Sequence, residues 1–173
     1  MPHVQQNDAL KDKNSIALQR YEFAIECLKD SDIKEVIDLG CGMGYGTYML
    51  GHNHNVLGVD FCQKAIDYAN KNYPGNYRVE DLEDPEAHTI FEADAVVCLE
   101  VLCQLKDPKN FISRIKAKEL VISAPIDPDP NDGYKYRLNI SARRFRRWMK
   151  VNGWEIINEL KQKKYLTIHA RKI

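Results

Sequence analysis

At 173 residues and 20.0 kDa, with 44% hydrophobic residues, the chain has the size and composition of one soluble globular domain. It contains no apolar run long enough to span a bilayer and no basic-then-apolar secretory pattern at its start, so we expect a cytoplasmic protein. The formal net charge is zero but unevenly distributed, because residues 1–132 carry −10 and residues 133–173 carry +10.

The first predicted element is an amphipathic helix within residues 14–32. Apolar side chains at Ile16, Leu18, Tyr21 and Leu28 belong to a set spaced mostly three and four residues apart, which is typical of a helix with one buried face. We expect this helix to end near Lys29.

Short apolar strands then alternate with helices. The strands are predicted at residues 34–39, 55–60, 77–81, 93–100 and 119–125. Helices are predicted from Tyr45 and over residues 63–73, where Pro74 and Gly75 end the second one. This alternation predicts right-handed crossovers and a parallel sheet covered on both faces.

The last third of the chain follows a different pattern. Residues 125–133 are rich in proline and acidic residues and predict a loop. A capped helix follows over residues 141–154, ending at Asn152 and Gly153. Two strands at residues 155–160 and 164–172 would form an antiparallel hairpin at the edge of the sheet. The predicted fold class is therefore α/β: one Rossmann-like domain with a mostly parallel seven-stranded sheet.

The stretch "EVIDLGCGMGYG" at residues 35–46 carries the strongest functional signal. It joins a buried strand to a helix through four glycines at alternate positions, where the backbone can adopt positive φ and a ligand can approach closely. The sixth position is Tyr45 or Thr47, depending on the register, so the Gly-x-Gly-x-x-Gly dinucleotide fingerprint is absent. A phosphate-binding P-loop is absent as well.

What is present, Asp38-x-Gly40-x-Gly42-x-Gly44, resembles motif I of the class I S-adenosylmethionine-dependent methyltransferases of the Methyltransf_11-like superfamily. The resemblance continues through "VLGVDFCQKAIDYANKNY", "YRVEDLED" and "ADAVVCLEVLCQLKDPKNFI" in order and spacing, and it covers residues 20–125. It implies an enzyme that binds S-adenosylmethionine and releases S-adenosylhomocysteine.

The resemblance also implies a set of cofactor-binding residues. The backbone of Gly40, Cys41, Gly42 and Gly44 would lie against the methionyl and ribosyl groups, and Asp38 would orient the turn and accept from the methionyl ammonium. Asp38 as a helix-cap acceptor is the alternative.

Further positions follow from the same family pattern. Asp60 ends the second strand, where its carboxylate can accept both ribose hydroxyls. The remaining implied cofactor contacts are Phe61 on the adenine, Asp81 and Leu82 at its edge, Cys98, Leu99 and Glu100 near the sulfonium, and Arg20 and Tyr21 on a helical lid. Tyr21 can instead be a core residue, and Glu80 or Asp84 can replace Asp81 in the acidic run.

The sequence identifies no catalytic residue and no metal site. "CLEV" stands after the fourth strand instead of Asn/Asp-Pro-Pro-Tyr, which argues against methylation of the adenine-N6 kind. Where family members often carry an acceptor-facing His, this chain has Tyr136, so we name Tyr134, Tyr136 and Arg137 as candidates for the acceptor pocket.

The predicted function is methyl transfer to an O, N or C atom of a small or medium-sized acceptor. The alternatives are an RNA or protein methyltransferase that uses the basic C-terminal third, and a catalytically silent cofactor-binding domain that acts through a partner. We divide the single domain into an N-terminal helical lid (residues 1–33), a cofactor-binding core (34–125) and an acceptor side (126–173). The sequence does not indicate the oligomeric state.

Overall fold

Seven strands form one mixed sheet in the computed structural model, which describes residues 15–29, 32–87, 89–126 and 140–173. The strand order across the sheet is β3-β2-β1-β4-β5-β7-β6. The strands are β1 (Glu35–Leu39), β2 (Asn55–Asp60), β3 (Asn76–Val79), β4 (Ala95–Cys98), β5 (Glu119–Pro125), β6 (Trp154–Gln162) and β7 (Tyr165–Lys172).

Five helices flank this sheet within the described residues. They are α1 (Ile16–Cys27), α2 (Tyr45–Leu50), α3 (Gln63–Asn72), α4 (Pro108–Arg114) and α5 (Ala142–Val151), with 3₁₀ turns at Thr89–Phe91 and Leu102–Gln104. No described helix combines the length and apolarity needed to cross a membrane.

Strands β1 to β5 are parallel, and the direction of strand succession reverses at β1. Strand β1 pairs with β2 on one side and with β4 on the other. The carboxyl ends of parallel strands at such a reversal form a crevice, which is where open α/β sheets bind ligands. The topology therefore places the turn after β1 and the segment after β4 side by side.

The two faces of the sheet are covered by different elements. Helix α1 packs one face through Ala24 and Leu28, against Val97 and Val121 of the central strands. The opposite core includes Phe111 of α4, Phe145 and Met149 of α5, and Trp154 of β6. Because both faces are buried, the central strands read as continuous apolar runs.

Strand β7 lies between β5 and β6 and runs antiparallel to both. The hairpin β6–β7 therefore adds to the sheet through its second strand. Leu166, Ile168 and Ala170 of β7 are at most 1% exposed, so this strand belongs to the core.

The predicted fold class is confirmed, and the bounds of β2 and β5 agree with the prediction. Two strands end two residues earlier than expected. Strand β3 ends at Val79, because the carboxylate of Asp81 accepts the backbone N–H of Glu83 at 2.9 Å and forms a turn. Strand β4 ends at Cys98, because Glu100 has the left-handed φ of 64°.

Helix α4 was not predicted, although its start is encoded locally. Pro108 occupies the first helical turn, and the carboxylate of Asp107 accepts the backbone N–H of Asn110 at 3.0 Å. A capping aspartate followed by proline is a common helix start.

Candidate cofactor site

Asp38 is a buried carboxylate at the carboxyl end of β1. Its side chain accepts a hydrogen bond from the hydroxyl of Thr47 at 2.7 Å and from the hydroxyl of Tyr21, whose oxygen lies 3.2 Å and 3.4 Å from the two carboxylate oxygens. Thr47 is on α2 and Tyr21 is on α1, so Asp38 ties both helices to the strand. Asp38 does not act as a helix cap, because both of the groups that donate to its carboxylate are side-chain hydroxyls and not backbone N–H groups.

The environment of Asp38 favours its protonated form. Burial raises the pKa of Asp38 from 3.8 to about 6, the hydrogen bonds from Thr47 and Tyr21 lower it in part, and the nearby carboxylate of Asp60 raises it. The ionised form therefore gains from a cationic group placed close to it.

The turn after β1 requires glycine at several positions. Gly40, Gly42 and Gly44 have φ of 79°, 54° and 83°, a region that residues with a Cβ rarely adopt. A Cβ at Gly40 would also lie 2.2 Å from the side chain of Val101, which follows β4. The glycines thus let the turn curl tightly against the end of β4.

Gly46 serves a different purpose, on the first turn of α2. A Cβ at this position would lie 1.9 Å from the ring of Tyr21. The absence of a side chain lets α1 pack its tyrosine directly on α2, which brings the Tyr21 hydroxyl to Asp38.

Asp60, at the end of β2, holds the glycine turn. One of its carboxylate oxygens accepts the backbone N–H of Gly42 at 3.0 Å and the other accepts that of Cys62 at 2.9 Å. A carboxylate oxygen has two lone pairs, so each oxygen can accept a further hydrogen bond. Asp60 can therefore position the turn and still accept from two hydroxyls of a ligand.

The residues expected to contact the adenine differ in their exposure to solvent. Phe61, next to Asp60, is 64% exposed and offers an aromatic face to solvent at the edge of the crevice. Leu82 is buried, whereas Asp81 is exposed and its carboxylate is engaged with the backbone N–H of Glu83. Asp81 thus lies in a turn beyond β3, and not at the end of the strand as predicted.

An ion pair between an arginine and a glutamate lies at the other end of the crevice. The guanidinium of Arg20 on α1 forms an ion pair with the carboxylate of Glu100 and lies over the ring of Tyr165, with its Cζ 4.6 Å from the ring centroid. Ser123 of β5 accepts the backbone N–H of Glu100 at 3.0 Å and donates its hydroxyl to the Glu100 carboxylate at 3.1 Å.

The Arg20–Glu100 pair is largely removed from water. The Arg20 side chain is 6% exposed and that of Glu100 is 30% exposed. Burial raises the pKa of Glu100, while Arg20 and the Ser123 hydroxyl lower it in part. An ion pair at this depth is held in a defined geometry by its hydrogen bonds.

The Arg20–Glu100 pair and part of the glycine turn line one cavity, whereas Asp38, Asp60, Phe61 and Asp81 do not line it. The cavity brings together several predicted cofactor residues, namely Arg20, Tyr21, Gly40, Cys41, Gly42, Leu99 and Glu100, together with Ala17, Met43, Tyr45 and Gly46.

Cys98 was predicted beside these residues, but its side chain is fully buried in the core and does not line the cavity. Burial also raises the pKa of its thiol well above the usual value. Its neighbour Leu99, the first residue after β4, lines the cavity instead.

Two functional side chains were missed by the sequence analysis. Thr47 and Ser123 are both buried and hydrogen-bond Asp38 and Glu100, respectively. The predicted acceptor residues Tyr134, Tyr136 and Arg137 lie outside the described residues.

Comparison with known proteins agrees with this geometry. A family model described as a methyltransferase domain matches residues 37–117. A ubiquinone biosynthesis O-methyltransferase from Chromobacterium violaceum is 32% identical over 85 residues, which are 46% of this chain and 37% of that protein. The matched part of the chain thus corresponds to little more than a third of that relative.

Solved structures show the same fold. Magnesium protoporphyrin IX methyltransferase from Synechocystis PCC 6803 with bound S-adenosylmethionine aligns with a TM-score of 0.73 and 19% identity, over 95% of this chain and 84% of that one. The cyclase SpnF aligns with a TM-score of 0.69 and 13% identity, over 91% and 82% of the two chains. These identities establish the fold alone.

Residues 37–117 therefore match a methyltransferase domain, in agreement with the resemblance to the class I S-adenosylmethionine-dependent methyltransferases seen in the sequence.

Proposed function

We propose that this chain binds S-adenosylmethionine at the carboxyl ends of β1 and β4. It would transfer the methyl group of this cofactor to an O, N or C atom of a small or medium-sized acceptor. The observation that carries this proposal is the Arg20–Glu100 pair facing the glycine turn. A methionyl tail has one carboxylate and one ammonium, and the pair offers the complementary charge to each.

The groups near the turn fit the rest of the cofactor. The carboxylate of Asp60 retains acceptor capacity for the ribose hydroxyls, and the exposed ring of Phe61 provides a flat surface for the adenine. Backbone at Gly40 and Gly42 can approach the ligand without an intervening Cβ. Asp81 uses one carboxylate oxygen within its own turn, and its other oxygen would still accept from the adenine amino group.

The cofactor, when bound, supplies a methyl group activated by its sulfonium. The protein's part is to bind, to orient and to exclude water. Arg20 and Glu100 fix the tail, Asp60 fixes the ribose and helix α1 covers the cavity, so that the methyl faces the acceptor in one orientation. Catalysis by proximity and desolvation requires no strong acid or base.

Free thiols support a reducing compartment for the protein. All five cysteines are unpaired, and Cys41, Cys98 and Cys103 are buried. We therefore place the protein in the cytoplasm. The continuous sheet supports the division into one domain with a lid, a cofactor-binding core and an acceptor side.

Transfer from S-adenosylmethionine labelled in its methyl group tests the proposal directly. We expect the protein to label a component of a metabolite extract and to release S-adenosylhomocysteine, and the variant Asp60→Asn to lose most of this activity. Cofactor binding without transfer to metabolite, RNA or protein fractions would overturn the transferase assignment and favour a silent binding domain.

A further inference from the structure

Helix α5 presents one strongly basic face to solvent. Arg143, Arg147 and Lys150, here called the basic stripe, are exposed and stand four and three residues apart. Residues at this spacing share one side of a helix. Phe145 and Met149, on the opposite side, are fully buried, so the stripe points directly away from the core.

Among the described residues, no carboxylate neutralises the charge of the stripe. Arg146, its neighbour on the helix, forms a two-pronged ion pair with Glu159 of β6, with both N···O distances at 2.7 Å. In the part of the chain that the structure describes, no carboxylate pairs with Arg143, Arg147 or Lys150. Three cations on one face, without a carboxylate partner in the described ranges, favour a partner with closely spaced negative charges.

A flat π surface adjoins the stripe. The guanidinium of Arg144 lies over the ring of Trp148, with its Cζ 5.7 Å from the ring centroid. Guanidinium and indole planes are the groups on which unpaired bases stack. The exposed Lys109 of α4 is held close to the end of α5, because its carbonyl accepts from the side chain of Asn152 at 3.4 Å.

From this arrangement we infer that the basic face of α5 binds a single-stranded nucleic acid through its phosphates. The stripe spans about 10 Å, since each helical residue rises about 1.5 Å. A strand with stacked bases carries about one phosphate per 3.4 Å of its axis, so the stripe matches about three successive phosphates of such a strand. Arg144 and Trp148 then offer a stacking surface to the bases.

A lipid surface fits the same helix less well. Amphipathic helices bind membranes by burying their apolar side chains among the lipids. Here Phe145 and Met149 are 0% exposed, because they already fill the protein core. Apart from Val151 at its last position, which is 55% exposed, the helix therefore offers lipid its charge but no exposed apolar face.

The inference goes beyond the proposed function, because it concerns a partner and not the methylated atom. The basic stripe and the candidate cofactor site are nevertheless close in the fold. Ile140, just before α5, bridges to Ile126, which follows the carboxyl end of β5. The stripe thus begins at the edge of the sheet that carries the cofactor site.

Fluorescence anisotropy with labelled 20-nucleotide RNA and DNA strands of mixed sequence tests this surface. We expect binding that weakens about tenfold or more between 50 and 200 mM salt, as release of about three counterions predicts. The triple variant R143E/R147E/K150E should bind at least tenfold more weakly at 50 mM salt. R143K/R147K should stay within about threefold of the original chain, because lysine keeps the charge.

The variant K34E/K71E/K116E is the matched control, since it makes the same change in net charge at exposed positions elsewhere. It should bind within about threefold of the original chain. Thermal stabilisation by S-adenosylhomocysteine, measured on every variant, reports folding and the cofactor site separately from the stripe. Absence of binding to both strands, equal weakening in both triple variants, or binding to phosphatidylserine vesicles in place of nucleic acid would overturn the inference.

Discussion

At the scale of single residues, the site is built on carboxylates whose oxygens are already partly engaged. Asp38 accepts from two hydroxyls, Asp60 accepts from two backbone N–H groups, and Glu100 is paired with Arg20. These contacts fix the orientation of each carboxylate before a ligand arrives. A site organised in this way loses little freedom on binding.

Asp38 should make the stability of the protein depend on pH. Its pKa is raised from 3.8 to about 6 on folding, so between these values the folded chain binds more protons than the unfolded chain, and the free energy of unfolding falls as pH rises. From pH 4.5 to pH 7 this loss amounts to about 2 kcal/mol. The Asp38→Asn variant should not show this pH-dependent loss of stability.

Urea unfolding followed by circular dichroism at the two pH values measures this difference. The stability of Asp38→Asn relative to the original chain should rise by about 2 kcal/mol from pH 4.5 to pH 7. The exposed Asp67, which accepts from Gln63 on α3, provides the control Asp67→Asn, which removes one carboxylate outside the site. An equal pH dependence of the original chain and Asp38→Asn would contradict the account.

Asp60→Asn should weaken cofactor binding and loosen the glycine turn. The amide keeps only one acceptor oxygen, so it cannot accept from both Gly42 and Cys62, and one backbone N–H is left without its partner. We expect a stability loss of about 1–3 kcal/mol and an affinity for S-adenosylhomocysteine at least tenfold lower. Calorimetry with Asp67→Asn as the control checks this, and unchanged affinity would exclude the ribose assignment.

Some of these residues could be predicted from the sequence and others could not, for a physical reason. Asp38 and Asp60 are recognisable because their distances from the glycines along the chain reflect the strand–turn–helix unit itself. Thr47 and Ser123 are ordinary residues in a helix and a strand, and their role depends on carboxylates 9 and 23 residues away. Contacts between separate helices and strands produce no pattern in the local sequence that would predict them.

At the scale of elements, the site depends on how closely α1 approaches α2. The contact between Tyr21 and Gly46 sets this distance and delivers the Tyr21 hydroxyl to Asp38. The resemblance anticipated a helical lid with Arg20 and Tyr21. The packing of Tyr21 on a glycine required the structure, because it joins residues from two helices.

Gly46→Ala should separate these two helices. The added methyl would lie 1.9 Å from the Tyr21 ring, so either the ring or α1 must move. We expect a stability loss of about 1–3 kcal/mol and faster proteolysis within α1. Gly51→Ala is the matched control, since Gly51 has a right-handed helical φ of −64° and is exposed. Equal effects of the two substitutions would argue against the proposed role of the contact.

At the scale of the whole molecule, the topology is the most predictable property. Alternating apolar strands and helices predicted the parallel sheet, and the two late strands predicted the hairpin. The sequence could not show that β7, rather than β6, pairs with β5. Both strands mix apolar and polar residues, and only the packing of Leu166 and Ile168 in the core decides between them.

A chain shortened to end at Lys164 should therefore fail to fold, because it lacks the strand that joins β5 to β6. We expect no cooperative thermal transition by circular dichroism. Removal of Ile173 alone, which is 85% exposed, is the control and should leave the transition in place. A cooperative transition in the shortened chain would mean that β7 is dispensable for the sheet.

The most direct test of the account is titration of the original chain with S-adenosylhomocysteine by calorimetry, together with its melting temperature in the same ligand. The account predicts one bound ligand per chain and a melting temperature that rises with ligand concentration. Absence of binding heat and of any thermal shift at about 1 mM ligand would contradict it.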